Sequence, residues 1–424
     1  MLRKKYLRAM AATVAIGFIA TSCGSDEKEA VTTTAAPVET TAESAAPAET
    51  TAESAAPAET TAETTAETTA ETEATTGESM DPAETADLSA IEEECATEGN
   101  KVNLIALPDE WANYKGILAA FGEKYPDMEY PVANPNASSK EEEDAVKTLA
   151  GQDDMPDSVD VSPAIASSMV AQGLFEPYVP TVIDEIPEDL QGPDNNWYGS
   201  YYGIMAISTN TTIVPNAPKT FADLAKPEYE GLVALNGDPR EAGAAFAAVM
   251  AASLANGGSA DDIMPGIEFF AGLKTSGNLG TADVTPATVL SGETPIAIDW
   301  SYNVPGLRDQ IEDAGFTYET NFPADSVYGG FYGQGVVANS PHGACSKLWL
   351  EHILSNEGAL GYLEGGAIPA RYEAIVAAGL VDEAAKANLP PAELIDQISF
   401  LTPEQIDAAK AVLAENWGPM VADA

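Results

Sequence analysis

The chain has 424 residues with 67 acidic against 19 basic side chains, a formal net charge of −48, three cysteines and two histidines. So strong a polyanion is repelled by nucleic-acid phosphates, and no basic stripe offsets it, so no nucleic-acid partner is expected. Three cysteines exclude a disulfide-stapled scaffold, and two histidines leave little material for a His-based metal site or a Ser-His-Asp triad.

The charge divides the chain into three zones. Residues 1–23 hold four basic and no acidic side chains, residues 24–96 hold 19 acids and one Lys, and the remainder is globular in composition with a net charge of −34. Arg3, Lys4, Lys5 and Arg8 precede a 12-residue apolar run at 9–20, too short to span a bilayer, so 1–22 reads as a signal peptide. Ala20-Thr21-Ser22-Cys23 resembles a lipobox, in which the cysteine is acylated and anchors the chain to the membrane; Ala20 stands where that motif usually has Leu. The plainer alternative is an ordinary cleavage site beside an incidental Cys23. In 23–96 the unit Glu-Thr-Thr-Ala-Glu-Ser-Ala-Ala-Pro-Ala starts at Glu39 and at Glu49, then decays into Glu-Thr-Thr-Ala tetrads. With almost no large apolar side chain to offset chain entropy, this zone is expected to be a disordered tether, on the order of 45–50 Å in mean span. Its Thr, Ser and Pro content also suits O-glycosylation.

The third zone reads as α/β. Strands are predicted at 102–107, 128–132 and 158–161, alternating with helices at 112–125, 138–149 and 164–172; Ser138 and Glu141 form a capping box for the second helix. After the aromatic stretch 197–202 a second series follows: a strand at 232–235, helices at 241–254 and 263–273, and a strand at 296–299. Thr402, Pro403 and Gln405 open a C-terminal helix. Alternating strands and helices argue for a mostly parallel sheet covered on both faces.

Several segments of this zone carry a family resemblance. They are Trp197-Tyr-Gly-Ser-Tyr-Tyr-Gly203, residues 218–235, Gly237-Asp-Pro-Arg240, Gly292-Glu-Thr-Pro-Ile-Ala-Ile-Asp-Trp300 and the run 333–341. Together they resemble the extracellular solute-binding proteins of ABC importers, in the type II cluster that takes ferric iron, polyamines, thiamine or phosphonates. The resemblance covers essentially all of 99–424. It implies a two-lobed clamshell of the type II periplasmic-binding-protein fold, with lobe one at 97–205 plus 335–375 and lobe two at 206–334 plus 376–424. The connecting strands would cross near 203–209 and 335–339. It further implies a monomer on the outer face of the cell membrane that passes a small solute to a permease and its ATPase subunits, with no cofactor and no enzymatic activity.

Physical reasoning places the solute at the carboxyl ends of the strands, where loops and helix starts converge. That selects Asp109, Glu110 and Trp111 after the first strand, Ser138 and Ser139 at a helix start, and Ser162-Pro163. It also selects Arg240 at another helix start, Asp299, Trp300 and Tyr302 after the strand at 296–299, and Tyr332. Aromatic faces and carboxylates suit an organic ammonium ion, so a polyamine or other amine is the first expectation. In the polyamine binders an aromatic follows the strand equivalent to 296–299, and Trp300 matches it. Arg240 with Ser138 and Ser139 leaves a phosphonate or sugar phosphate as a rival. Ferric iron is a further alternative, although only Tyr302 lies where that group of relatives carries paired tyrosines. The bland readings are that Tyr201 and Tyr202 pack the hinge, that Asp109 and Glu110 are solvated, and that Arg240 pairs with Asp238. No metal site is expected.

Cys95 and Cys345 remain as a pair, either bridged, which is the expectation in an exported chain, or as two buried thiols. Two other function classes are weaker. An exported hydrolase lacks a Gly-x-Ser-x-Gly elbow and a His-Glu-x-x-His helix, and no carboxylate pair for glycoside hydrolysis stands out. A stalked surface adhesin explains the tether but not the two α/β series.

Overall fold

The structure, a computed structural model, describes residues 87–423. The signal peptide, the Cys23 acylation site and residues 23–86 of the tether lie outside the described residues. In chain order the first elements are α1 (Ser89–Thr97), β1 (Leu104–Ile105), α2 (Tyr114–Lys124), β2 (Val132–Ala133), α3 (Ser139–Thr148), β3 (Ser158–Val161), α4 (Pro163–Ala171) and β4 (Phe175–Glu176). The middle holds β5 (Tyr198–Asn210), β6 (Val233–Leu235), α5 (Gly243–Ala255), α6 (Met264–Ser276), α7 (Pro286–Ser291), β7 (Ile296–Trp300), α8 (Val304–Asp313) and β8 (Tyr318–Asn321). Then come β9 (Gly329–Val337), α9 (Gly343–Leu354), α10 (Asn356–Glu364), β10 (Ile368–Pro369), α11 (Tyr372–Ala377), α12 (Ala392–Ile395) and α13 (Pro403–Trp417).

Local chemistry explains several of these boundaries. Ser138 and Glu141 form a reciprocal capping box on α3, and Thr402 and Gln405 form another on α13. Helix α5 is alanine-rich and apolar on every side, and residues 244–253 are all buried, so it runs through the core rather than over it. The tether, expected to reach residue 96, gives way earlier to α1. Leu88 and Ile91 pack on the core and Cys95 is buried, which supplies the burial that the repeats lack.

The fold is mixed α/β. β1 and β2 form a parallel pair, and an eight-stranded sheet has the order β3-β9-β5-β7-β6, with β8 and β10 also on β5 and β4 on β9. Within that larger sheet only β6 and β7 run parallel, so the expectation of a mostly parallel sheet is corrected. The cause is β5 and β9, two long strands that run back through the sheet antiparallel to every partner.

β5 belongs to two halves of this sheet. From Tyr198 to Ile204 it pairs with β9, and from Met205 onward with β7 and β8. β9 leaves the second half at its first residues, where Gly329 and Gly330 pair with Ile204 and Gly203. The crossings are therefore at 203–205 and 328–330. Residues 335–337, expected at the second crossing, pair instead with β3, β4 or both at the other end of β9. Residues 376–398, expected with the second lobe, pack beside the part of β5 that pairs with β9: Leu389 and Ile398 join Leu363, Ile368 and Ile375 beside Tyr202. Helix α13 packs against both α4 and α6.

Two glycines set the packing at the crossings. A Cβ on Gly203 would stand 2.6 Å from Tyr302 Cδ1, and one on Gly330 would run into the Trp300 ring. Only a bare backbone lets those aromatics close on the strands.

A disulfide joins Cys95 in α1 to Cys345 in α9, with Cα atoms 4.7 Å apart. Beside it the Glu98 carboxylate accepts from the Ala344 and Cys345 N–H groups at 3.0 and 3.2 Å, an anion on the start of α9. The bridge closes a span of 250 residues. Replacing Cys95 and Cys345 together by Ser is expected to lower unfolding stability by about 2–5 kcal/mol. Urea denaturation without reductant measures this, and an unchanged midpoint contradicts it.

Candidate functional site

The crossing gathers one aromatic cluster from both halves of the sheet. Trp111 comes from the turn after β1, Tyr201 from β5, Trp300 and Tyr302 from the end of β7, and Tyr332 from β9. The Trp111 ring lies 5.6 Å from Tyr302 and 5.4 Å, edge-on, from Tyr332. Tyr302 stacks on Trp300 at 5.6 Å and meets Tyr201 edge-on at 5.1 Å. Trp111 is held by a constrained backbone. Ala112 and Asn113, at φ +48° and +61°, both lie in the left-handed region, as does Ala106 at +57°. For alanine that conformation costs roughly 1–2 kcal/mol. Packing fixes it: Gly365 lies so close to Ala112 that a Cβ there would stand 2.5 Å from its carbonyl carbon, and Asn113 Nδ2 donates to the Gly361 carbonyl at 3.0 Å.

A buried carboxylate stands on each side of the cluster. Asp160, in β3, accepts on Oδ2 from the hydroxyls of Tyr114 at 2.8 Å and Tyr201 at 3.0 Å. Trp111 Nε1 donates to the Tyr201 oxygen at 2.6 Å, and Gln334 Nε2 to the Tyr114 oxygen at 2.8 Å. Asp160 Oδ1 has no partner. Burial pushes this carboxyl up to about 7, against the two phenol donors that pull it down. Its backbone N–H donates to Glu142 at 2.9 Å, and burial raises that carboxyl too, helped by the Asp160 charge.

Asp299, at the end of β7, is held by Asn236 Nδ2 at 2.9 Å, Asn303 Nδ2 at 3.1 Å and the Trp300 N–H at 2.8 Å. Burial pushes it up to about 6 in spite of these donors. Both carboxylates act on the Tyr302 and Tyr332 hydroxyls and, after burial and, for Tyr302, the neighbouring phenols, raise their pKa. The Tyr302 hydroxyl and the Trp300 indole N–H are buried without hydrogen-bond partners. An unsatisfied buried polar group is costly, and these two belong to rings stacked on each other at the end of β7.

Of the residues selected from sequence, Trp111, Asp299, Trp300, Tyr302 and Tyr332 come together here. Asp109 and Glu110 are exposed, and the Glu110 backbone packs against Gly306 of α8. Ser138 is engaged in its capping box, so the Glu141 carboxylate already stands at the start of α3, while Ser139 Oγ accepts from the Ser162 N–H at 3.0 Å. Arg240 is at the surface, its Nε 3.0 Å from Asp238. Asp160, Glu142 and Tyr201 are site residues that sequence reasoning did not select. Asp160 lies inside the fully buried strand Ser158–Val161.

A family model described as bacterial extracellular solute-binding protein matches residues 153–393. No curated relative matches the sequence. Among solved structures, the periplasmic binding protein AfuA of Actinobacillus pleuropneumoniae, with fructose-6-phosphate bound, is 15% identical with a TM-score of 0.58, covering 75% of this chain and 98% of its own. The spermidine/putrescine substrate-binding protein PotD of Streptococcus pneumoniae is 16% identical with a TM-score of 0.55, covering 76% and 99%. Iron-bound HitA of Pseudomonas aeruginosa is 20% identical with a TM-score of 0.56, covering 74% and 97%. These likenesses establish the type II periplasmic-binding-protein fold.

The raised Asp160 pKa has a stability consequence. The folded chain keeps a proton that the unfolded chain releases near pH 4, so this group's contribution is fully present below pH 4 and is lost as pH rises through about 7. Asp160→Asn removes the burden of the buried charge. The variant is expected to be more stable than the parent at pH 8, by on the order of 1–2 kcal/mol, with no gain at pH 4. Urea unfolding at the two pH values measures it; a gain that does not grow with pH contradicts the assignment.

Proposed function

We infer that this chain, which belongs to the bacterial extracellular solute-binding proteins, is the substrate-binding component of an ABC importer and captures a small organic amine between the two halves of its sheet. The family is one of transport binding proteins, not enzymes. In this reading the halves are lobes that move about the crossings at 203–205 and 328–330, and the chain delivers its solute to a permease driven by ATPase subunits. A monomer held at the outer face of the membrane by acylated Cys23, on the 23–86 tether, fits the same role.

The observation that carries the amine assignment is the pair Asp160 and Asp299. They come from opposite halves, both are buried, both titrate well above an ordinary carboxylate, and they flank stacked aromatic rings. A carboxylate already stripped of water gains most from a cation placed beside it, and π faces add to the attraction. The anion reading has lost its sequence support, because Glu141 and Asp238 occupy the partners it needed. Ferric iron keeps one specific observation: the Tyr201, Tyr302 and Tyr332 phenols gather with the same two carboxylates.

A thermal-shift screen of putrescine, spermidine, thiamine, a sugar phosphate and ferric citrate tests this. An amine is expected to raise the unfolding midpoint by linkage, and Asp299→Asn to reduce its affinity by about 10- to 100-fold, the usual loss for a charged hydrogen bond. A shift with sugar phosphate or ferric citrate and none with amines would falsify the amine reading.

A further inference from the structure

Trp300 and Tyr332 also line a cavity of about 40 Å³. No Asp or Glu lines it. Its polar side chains are the Ser162, Tyr328 and Tyr332 hydroxyls, the Trp300 indole and the Lys410 ammonium, set among apolar groups. Helices α4 and α5 begin at its wall, and neither start carries a side-chain cap. Both helices are long enough, at 9 and 13 residues, for the positive end of the dipole and the free N–H groups of the first turn to matter.

Three side chains join them. The Trp300 indole N–H is buried, with the residue 3% exposed, and has no hydrogen-bond partner. It interacts with the Tyr332 hydroxyl, favouring that group's ionised form, and the Tyr332 oxygen lies 2.9 Å from where a Cβ on Gly243 would stand, at the first residue of α5. Lys410, reaching in from α13, is half-buried with its Nζ 5.8 Å from the centre of the Phe246 ring. It makes no ion pair with a carboxylate among the described residues; Asp407 acts on it only at a distance, and burial lowers its pKa. A half-buried ammonium without a carboxylate partner, beside a buried indole N–H and two uncapped helix starts, leaves the cavity rich in donors and without a carboxylate.

We propose that this cavity receives the acidic end of the solute. The captured molecule is then a zwitterion, an amine carrying a carboxylate or phosphonate group, with Lys410, Trp300, Tyr332 and the starts of α4 and α5 as its anion subsite. The inference rests on the amine reading, which assigns the other end of the molecule to Asp160 and Asp299. The cavity has room for about three waters, which suits an acidic head group and not a whole solute.

Calorimetric titration of the folded chain with putrescine, γ-aminobutyrate, 3-aminopropylphosphonate and butyrate tests it. The acid-ended amines are expected to bind at least about tenfold more tightly than putrescine, and Lys410→Met to weaken them about 10- to 100-fold without weakening putrescine. Lys410→Arg, which keeps the charge, should retain most of the affinity and guards against a variant that merely misfolds. Putrescine binding as tightly as the acid-ended amines, or a Lys410→Met effect that is the same for both, overturns the anion subsite and leaves the amine reading standing. Butyrate binding as tightly as γ-aminobutyrate overturns the zwitterion from its other end, and takes the amine reading with it.

Discussion

Everything at the candidate site depends on the pairing of one 13-residue strand, β5, with β9 along its first half and with β7 along its second. The same register places both key carboxylates. Asp160 stands opposite Gln334 of β9, which stands opposite Tyr198 of β5, while Asp299 stands opposite Ala206, further along β5 in its second half. A slip of one residue would turn either acid to the other face of the sheet. Gly203 and Gly330 make the register compatible with the cluster, because each leaves the space that a ring of Trp300 or Tyr302 fills.

That arrangement is unfavourable for the folded chain taken alone. Two carboxyls are held dry, two alanines are held left-handed near Trp111, and a phenol and an indole N–H are buried without partners. Such features persist only where the surroundings over-determine them. Here the surroundings are well-satisfied polar networks away from the crossing. Arg371, buried beneath α10, donates to Glu185 at 2.8 Å and to the Leu354 carbonyl at 2.9 Å. Asp157 accepts from the His342 and Asn103 N–H groups at 2.9 and 2.6 Å. These satisfied groups and the disulfide tie the chain between α1 and α11 into a frame, within which the site can remain unsatisfied.

The sequence made some of this legible and hid the rest for identifiable reasons. Capping boxes at Ser138 and Thr402 were readable because they are four-residue chemistry. Trp300 and Tyr302 were readable because they follow a strand whose end must face a crevice. Strand direction was not readable: residues 329–337 look the same whether they run parallel or antiparallel to their neighbours, and only non-local pairing decides. Asp160 was obscured because a buried strand of four residues carries no periodicity to contrast with. Lys410 was beyond reach, since nothing near Asp407 or Ile406 in the chain announces that α13 will lie against α4 and bring Lys410 over Phe246 of α5.

The net charge of −48 takes on a different meaning beside the two proposed subsites of opposite sign. A body this acidic draws cations toward any opening and slows anions, but only over about 10 Å in physiological salt. Within the cluster, distances are far shorter and water is largely excluded, so local groups decide. A diamine would place one ammonium among donors near Lys410, and a diacid would place one carboxylate against Asp299. Each leaves a buried charge facing its own sign, which costs more than a missing contact. In that proposal selectivity comes from what each end of the site refuses. The shared Trp300 and Tyr332 set how far apart the two ends of an accepted solute must be.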